Sequence, residues 1–339
     1  MPTVLELFNQ KEIINYLGNR QYPPLLGETL FPEVKRESLE FDMIVGARRT
    51  PVIASIHAFD SESEIGTREA SKQALELALI KRKIGLTEKE IIALESPRND
   101  AEQQYLMQMV YNDIDVLVAG VRARVEAMRM EVTANGTVTL DENNLGATIS
   151  YGVPDEHKEV LSGTSVWTDP NSDPIGDMER FADALDTAPT RGLTSKEVMN
   201  ALLRHPRIIG ALYGNNSLRV PTKDDLNAFL TQHSLPALAT YNEKYKKQHK
   251  NGTFTTHRYF PQNKIALFGD GPLGETIYGP TAEEVRLRRD PSIETQMIGN
   301  VLAMIYEENL DPVSTWKKAV ATALPSFPEA DNVFQAQVI

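Results

Sequence analysis

The chain has 339 residues, of which 41% are hydrophobic, so it can bury a sizeable core and form roughly two or three lobes. Its 35 Lys and Arg against 47 Asp and Glu give a net charge of −12, which disfavours a protein that grips nucleic acid through phosphate contacts. Cysteine is absent, which excludes disulfides, thiolate metal sites and a thiol nucleophile. The sequence shows no signal peptide and no apolar run near the ~20 residues of a membrane span, so we expect a soluble, unexported protein.

The amino-terminal region combines an amphipathic helix with a proline-rich stretch. Apolar side chains at helical spacing predict a helix over residues 2–17 that ends at Gly18. Prolines disfavour helix or central strand over residues 22–34, which we therefore interpret as an extended arm. Its apolar side chains, like those of the helix, have no evident partner nearby in sequence, as Phe8 and Phe31 illustrate. Such an arm is expected to lie on another domain or another subunit.

Residues 38–45 and 52–57 alternate or are β-branched, and both segments are predicted to be strands. A polar stretch with a central Gly66 follows. Residues 74–84 leave two alternatives open, because their composition favours helix whereas leucines at every second position have the period of a strand. Propensity alone favours the helix. A capping box formed by Thr87 and Glu90 then predicts a short helix.

Residues 100–131 are predicted to form one long helix with a continuous apolar stripe. Asp100 and Gln103 form a capping box at its start. Acidic side chains lead and basic ones follow, so the side-chain charges run with the helix dipole; the later basic residues are Arg122, Arg124 and Arg129. A helix of about 45 Å exceeds the diameter of a small domain, so several pieces of chain must cover its stripe.

The rest of the chain mixes short helices and strands. Asn135–Gly136 predicts a hairpin between residues 130–132 and 137–140, and the run 169–174 is typical of a domain boundary. Further helices are predicted over 173–185, 195–203 and 223–232, and strands over 147–153, 237–241, 253–259, 264–268, 301–306, 315–324 and 333–338. Hairpins and helices cluster without forming βαβ units, which indicates an α+β fold.

No motif predicts catalysis or a bound cofactor. Gly269, Gly271 and Gly274 match the spacing of a dinucleotide fingerprint, but residues that break a helix follow, so we interpret them as a surface turn. The histidines show no metal spacing. Two basic stretches could contact phosphates, although solvated faces or protein contacts are favoured in so acidic a chain; they are Lys81–Lys83 and the group Lys244, Lys246, Lys247 and Lys250.

Six segments, taken in order, resemble the lambda-type family of tailed-phage major capsid proteins, which adopt the Hong Kong 97 fold. They are LFPEV at 30–34, IKRKIGLTEKEI at 80–91, SVWTDPNSDPIGDM at 165–178, TKDDLNAFLTQHSLPALATYNEKY at 222–245, PLGETIYGPTAEE at 272–284 and LPSFPEADNVFQAQV at 324–338. Together they span nearly the whole chain, and their combination is far more specific than any one of them.

The resemblance implies a division of the chain. Residues 1–40 would be the arm, 41–172 a peripheral domain, 173–325 an axial domain that meets its symmetry mates, and 326–339 a strand that returns to the peripheral domain. Within the peripheral domain, residues 54–86 would form an extended loop and the long helix over 100–131 would be the spine. This division makes residues 74–84 a strand, against their helix propensity.

The same resemblance implies a non-enzymatic shell protein that needs no cofactor. It would form hexamers and pentamers of an icosahedral head around double-stranded DNA, assembled in the host cytoplasm and located in the virion. Its implied partners are itself and the portal and scaffolding proteins, with a decoration protein as a further candidate; no membrane is involved. The alternatives are an encapsulin, which is a cellular compartment shell, and a soluble nucleotide-dependent enzyme built on the glycine turn.

Residues that contact a neighbouring subunit follow as a hypothesis. The extended loop of related shells lies over a neighbour, so its acids would meet arginines of the spine, with solvated faces as the alternative. Deleting the arm would then leave a folded subunit that cannot close shells. The proposed contact residues are Phe8 and Phe31 in the arm, Asp60, Glu62, Glu64, Gly66 and Arg68 in the loop, and Arg122, Arg124 and Arg129 in the spine.

Overall fold

The computed structural model describes residues 4–45, 71–140, 146–214, 217–288, 299–308 and 313–339. Its helices are α1 Val4–Leu7, α2 Gln10–Asn19, α3 Leu26–Leu30, α4 Glu88–Glu95, α5 Asp100–Asn135, α6 Pro174–Asp183, α7 Lys196–Arg204, α8 Pro206–Tyr213, α9 Lys223–Gln232 and α10 Ala282–Leu287. Its strands are β1 Glu33–Lys35, β2 Glu40–Val45, β3 Ser71–Glu76, β4 Ala78–Leu86, β5 Thr137–Leu140, β6 Ala147–Ser150, β7 Lys158–Val160, β8 Arg191–Thr194, β9 Ala237–Thr240, β10 Lys244–Gln248, β11 Phe254–Arg258, β12 Lys264–Phe268, β13 Thr276–Gly279, β14 Leu302–Glu308, β15 Ser314–Pro325 and β16 Val333–Gln337. The mixture confirms the predicted α+β class. The strand predicted over residues 52–57 lies outside the described residues.

The long helix α5 runs for 36 residues, which corresponds to about 54 Å. The predicted apolar stripe is buried along it, including Val110, Ile114, Leu117, Val121 and Val125. The cap lies one residue before the predicted one, because the side chain of Asn99 accepts a hydrogen bond from the backbone N–H of Glu102. Asn and Asp cap helices equally well, so residue type could not decide between neighbouring positions.

Gly136 ends the long helix in the left-handed conformation, with φ of +65° and its N–H bonded to the carbonyl of Val132. The predicted hairpin at Asn135–Gly136 is therefore wrong, because residues 130–135 are helical. Glycine after asparagine supplies a left-handed residue both to a hairpin turn and to a helix end, so the dipeptide alone does not choose between them. The predicted strand over 137–140 is confirmed as β5, which pairs with β6.

A five-stranded sheet built around β15 packs on α5. β4 lies on one side of β15, β14 and β13 lie on the other, and β1 adds a parallel strand next to β13. The strand that the resemblance implied for residues 74–84 is confirmed, and the helix favoured by propensity is wrong. All nine residues of β4 pair with β15, and this pairing outweighs a helix preference of a few tenths of a kcal/mol per residue.

The second lobe has its own core, built on a sheet of order β7-β16-β12-β8-β9 with α6, α7, α8 and α9 around it. Three aromatic rings stack in this core: Phe181 lies 4.5 Å from Phe334 and 6.5 Å from Trp167, measured between ring centroids. Because Trp167 and β7 belong to this lobe, the lobe begins before the boundary predicted at residues 169–174.

Four further strands lie in a different sheet from the one that the predicted division gives them. β13, β14 and β15 fall within the predicted axial domain, 173–325, but join the sheet on α5. β16, which was predicted to return to the sheet on α5, pairs instead with β12 and β7 in the second lobe. Alternating apolar residues identify a strand, but pairing involves residues distant in sequence, so the local pattern does not tell which sheet the strand joins.

The glycine turn, residues 269–274, leads into strand β13 and not into a helix, as its interpretation as a turn requires.

A Cβ atom added at Gly274 would collide with the backbone oxygen of Ser326, whereas one added at Gly269 would meet open space. We expect Gly274→Ala to lower the free energy of unfolding by about 1–3 kcal/mol, because a backbone atom cannot move aside. Gly269→Ala is the matched control, and urea unfolding measures both. Equal stability of the two variants would contradict this explanation.

Candidate assembly surfaces

The amino-terminal arm, residues 4–35, is held on α5 of its own chain by a carboxylate. The hydroxyl groups of Tyr16 and Tyr22 donate to separate oxygens of Asp115, at 2.8 and 2.9 Å, and Arg20 lies 3.0 Å from the same side chain. Burial, and then the bond to Asp115, raise the pKa of both tyrosines, so both stay protonated donors. The arm is thereby fixed at the middle of the long helix.

Apolar side chains of the arm are buried in the core of the same chain. They are Val4, Phe8, Ile13, Ile14, Leu30 and Phe31, each at most 4% exposed. The ring of Phe8 lies edge-on to Tyr111 at 5.5 Å, and that of Phe31 lies 6.1 Å from Phe327. Of the two expected alternatives, another domain or another subunit, the structure shows the first, because the partners lie elsewhere in the same chain. Phe8 and Phe31 are at most 1% exposed, which leaves their side chains no surface for the proposed contact with a neighbour. Their partners are distant in sequence, where a local pattern gives no information.

A buried acid–base pair joins the arm, the long helix and the second lobe. The carboxylate of Glu126 accepts hydrogen bonds from the backbone N–H of Gly27 and from the hydroxyl of Tyr241, both at 2.9 Å, and lies 3.4 Å from the Arg129 guanidinium. Both charged side chains are at most 1% exposed. Burial raises the pKa of Glu126, while the bonds from Gly27, Tyr241 and Arg129 act in the opposite direction. Three separate parts of the chain therefore depend on one carboxylate.

Arg129 extends this cluster to two neighbouring strands of the first sheet, the edge strand β1 and the strand β13 beside it. Its guanidinium donates to the Thr276 hydroxyl at 2.7 Å and to the Glu33 carboxylate at 2.9 Å. The arm passes so close that a Cβ atom at Gly27 would collide with the Glu126 side chain, which only glycine avoids. We call the buried pair Glu126 and Arg129, together with Gly27 that packs against it and the Glu33 carboxylate, 29% exposed, at its edge, the buried charge cluster.

These contacts decide which of the predicted spine arginines can meet a neighbouring subunit. Arg129 is excluded because its side chain is enclosed in the buried charge cluster. The guanidinium of Arg122 bonds to Glu28 and to the carbonyl of Pro23, so it is already paired with the arm of its own chain. Arg124 is partly buried. The loop residues of the hypothesis, Asp60, Glu62, Glu64, Gly66 and Arg68, lie outside the described residues.

The surface of the second lobe carries a two-stranded basic ribbon, residues 244–258, formed by β10 and β11 around the Asn251–Gly252 turn. Every residue of its two strands is exposed except Tyr245 and Arg258, which are half-buried. Phe254 is 59% exposed near its tip. The lysines of this ribbon are recognisable from the sequence as a basic stretch, whereas Phe254 is not among the predicted contact residues, although the predicted strand after the turn contains it.

The described part of the chain contains no group of His, Asp or Glu residues that could hold a metal ion. Among the helices described, none is long and apolar enough to cross a membrane.

The sequence comparison assigns this subunit to a family. The family model described as "Phage major capsid protein E" matches residues 10–338, which is nearly the full length. The chain belongs to the phage major capsid protein E family, and it is a structural component of the virion and not an enzyme. A curated relative, the major capsid protein of Pseudomonas phage JBD67, is 34% identical over 58 residues, which cover 17% of this chain and only 19% of that protein.

Solved structures share the fold along the whole chain. A prophage protein assigned as a capsid protein, from E. coli CFT073, superposes with a TM-score of 0.62 at 15% identity, covering 100% of this chain and 99% of its own. A phage-related protein from Bordetella bronchiseptica RB50 superposes with a TM-score of 0.56 at 12% identity, covering 96% of each chain. At these identities the likeness concerns the fold alone. It confirms the Hong Kong 97-type capsid fold implied by the resemblance.

Proposed function

We propose that this chain assembles into hexamers and pentamers of an icosahedral head that encloses double-stranded DNA. The observation that carries the proposal is the capsid-family match over residues 10–338. The net charge of −12 supports a shell that surrounds DNA without binding its sequence. Assembly takes place in the host cytoplasm, with portal and scaffolding proteins, and a decoration protein as a further candidate.

Within this proposal the lobes have separate roles. The lobe built on α5 and the β15 sheet is the peripheral domain, and the lobe built on β12 and β16 is the axial domain around the symmetry axis. The loop residues Asp60, Glu62, Glu64, Gly66 and Arg68 remain proposed contacts to a neighbouring subunit. Arg129 is buried and Arg122 bonds to the arm. The three acids of the loop, Asp60, Glu62 and Glu64, must therefore pair mostly with other cations of the neighbour.

Size-exclusion chromatography followed by negative-stain electron microscopy of the purified chain tests the assembly. We expect material at the void volume that consists of closed, round shells. A monomer that stays monomeric at high concentration, together with saturable dinucleotide binding in calorimetry, would contradict the proposal. Shells that copurify with an enzyme cargo would favour the encapsulin alternative.

A further inference from the structure

The basic ribbon concentrates positive charge on an acidic protein. Residues 243–258 contain five Lys and Arg side chains and a single acid, whereas the whole chain carries −12. The positive residues are Lys244, Lys246, Lys247, Lys250 and Arg258, and the acid is Glu243. Lys244 pairs directly with Arg258 across the two strands, and like charges in such a position destabilise a sheet. Arg258 is paired with Glu197 of α7 at 2.9 Å, whereas the pairing of the two strands does not explain the charges of Lys244, Lys246 and Lys250.

Burial of apolar surface does not explain the stability of the ribbon either. Within the described residues, β10 and β11 pair only with each other. Isolated two-stranded ribbons are marginally stable in water because they bury little apolar surface. Among the described residues, the ribbon is exposed on both faces and Phe254 is 59% exposed, so these ranges leave apolar and charged surface of the ribbon open to a partner.

The base of the ribbon is nevertheless rigidly held. Tyr245 contacts Tyr259 at 5.0 Å between ring centroids, and Tyr259 stacks on Tyr241, which also donates to the buried Glu126. Arg82 of β4 donates to Gln248 at 3.2 Å, which ties the ribbon to the first lobe. A surface positioned in advance loses less conformational entropy on binding, so the ribbon is suited to docking.

We propose that the basic ribbon of one subunit docks on a carboxylate-rich surface of a second copy of this chain. Charge complementarity identifies this partner, since each copy carries 47 acidic against 35 basic side chains. The exposed Phe254 favours a protein over DNA, because aromatic side chains supply much of the energy of protein interfaces while phosphate contacts need only the cations. The inference rests on the proposed assembly and adds the surface that mediates it.

Carbodiimide cross-linking of assembled, DNA-free shells tests the partner. The reagent joins a lysine amine to a carboxylate as an amide with loss of water, and shells made from a mixture of ¹⁵N-labelled and unlabelled chains distinguish links between copies. We expect Lys246 or Lys250 to be linked to an Asp or Glu of another copy. Links within one chain only, or none, would overturn the proposal. So would protection of these lysines from acetylation in DNA-filled shells but not in empty ones, which would assign the ribbon to DNA.

Charge reversal tests the contribution of the ribbon to assembly. We expect Lys246→Glu with Lys250→Glu to assemble roughly tenfold more slowly at an unchanged melting temperature, because reversed charges at an interface chiefly slow association. Raised salt should reduce the difference in assembly rate between this variant and the wild-type chain, because it screens the reversed charges. The matched control, Lys89→Glu with Lys196→Glu, changes the net charge equally at exposed positions elsewhere.

The outcomes separate this inference from the proposed function. If the wild-type chain forms no shells, the proposed function fails. If the wild-type chain forms shells and the ribbon variant assembles as fast as the control, the ribbon is not an interface. Changing the cross-linked carboxylate to Lys in the ribbon variant should restore assembly, which a mere loss of solubility would not allow.

Discussion

Deletion of residues 2–34 should unfold the subunit and not merely prevent shells from closing. Six apolar side chains of this segment are buried in the chain's own core. Full burial of each contributes about 1.5–3 kcal/mol, so their sum is comparable with the net stability of a typical protein, about 5–15 kcal/mol. Loss of the far-ultraviolet circular dichroism of the native chain, or recovery only as insoluble protein, would be the expected result.

A point variant gives the same test without a large deletion. Phe31→Ala should lower the free energy of unfolding by about 3–5 kcal/mol, because it leaves a cavity beside Phe327. Leu39→Ala is the control, since Leu39 is 47% exposed and its change should fall within about 0.5 kcal/mol. If the deletion variant is a folded monomer with the native melting temperature, the arm docks on the subunit without supporting it. That result would support an arm whose main contacts are with a neighbouring subunit.

The sequence predicted those elements whose signals are local. The apolar stripe at helical spacing identified α5, and Thr87 with Glu90 forms the predicted capping box in the structure. Helices α6, α7 and α9 lie where their caps and periodicity placed them. In each case the residues that determine the element lie within a few positions of one another, so a single sequence contains the necessary information.

Apart from the hairpin predicted at Asn135–Gly136 and the cap of α5, whose local signals are ambiguous, the errors concern contacts between distant parts of the chain. Which sheet β16 joins, and what covers Phe8 and Phe31, depends on segments that are distant in sequence. From its charge, Arg129 is predicted to meet a neighbouring subunit, with a solvated helix face as the alternative. Its position four residues after the buried Val125, and three after Glu126, was the available signal that it lies on the buried side. This side of α5 is buried because the arm lies over it, and the sequence around Arg129 does not show that contact.

Removal of one partner of the buried charge cluster should cost more than any exposed ion pair. Arg129→Met leaves the Glu126 carboxylate buried without a cation, and such a change typically costs about 3–5 kcal/mol. Because burial already raises the pKa of Glu126, loss of the guanidinium raises this pKa further. A carboxyl whose pKa is higher in the folded state destabilises that state when it is ionised. The loss in free energy of unfolding caused by Arg129→Met should therefore be larger at neutral pH. It should shrink as the pH falls towards the pKa of Glu126 in the folded state, because the carboxylate then takes up a proton.

Two further variants separate the unpaired charge from lost packing. Adding Glu126→Gln to Arg129→Met removes the uncompensated carboxylate, so the double variant should be more stable than Arg129→Met alone at neutral pH. Arg36→Met is the control, because it breaks an exposed pair with Glu275, worth about 0–1 kcal/mol. Chemical unfolding at several pH values measures all of them. If Arg129→Met is no less stable than Arg36→Met, or if the double variant gains nothing over the single one, the cluster does not hold an ionised carboxylate.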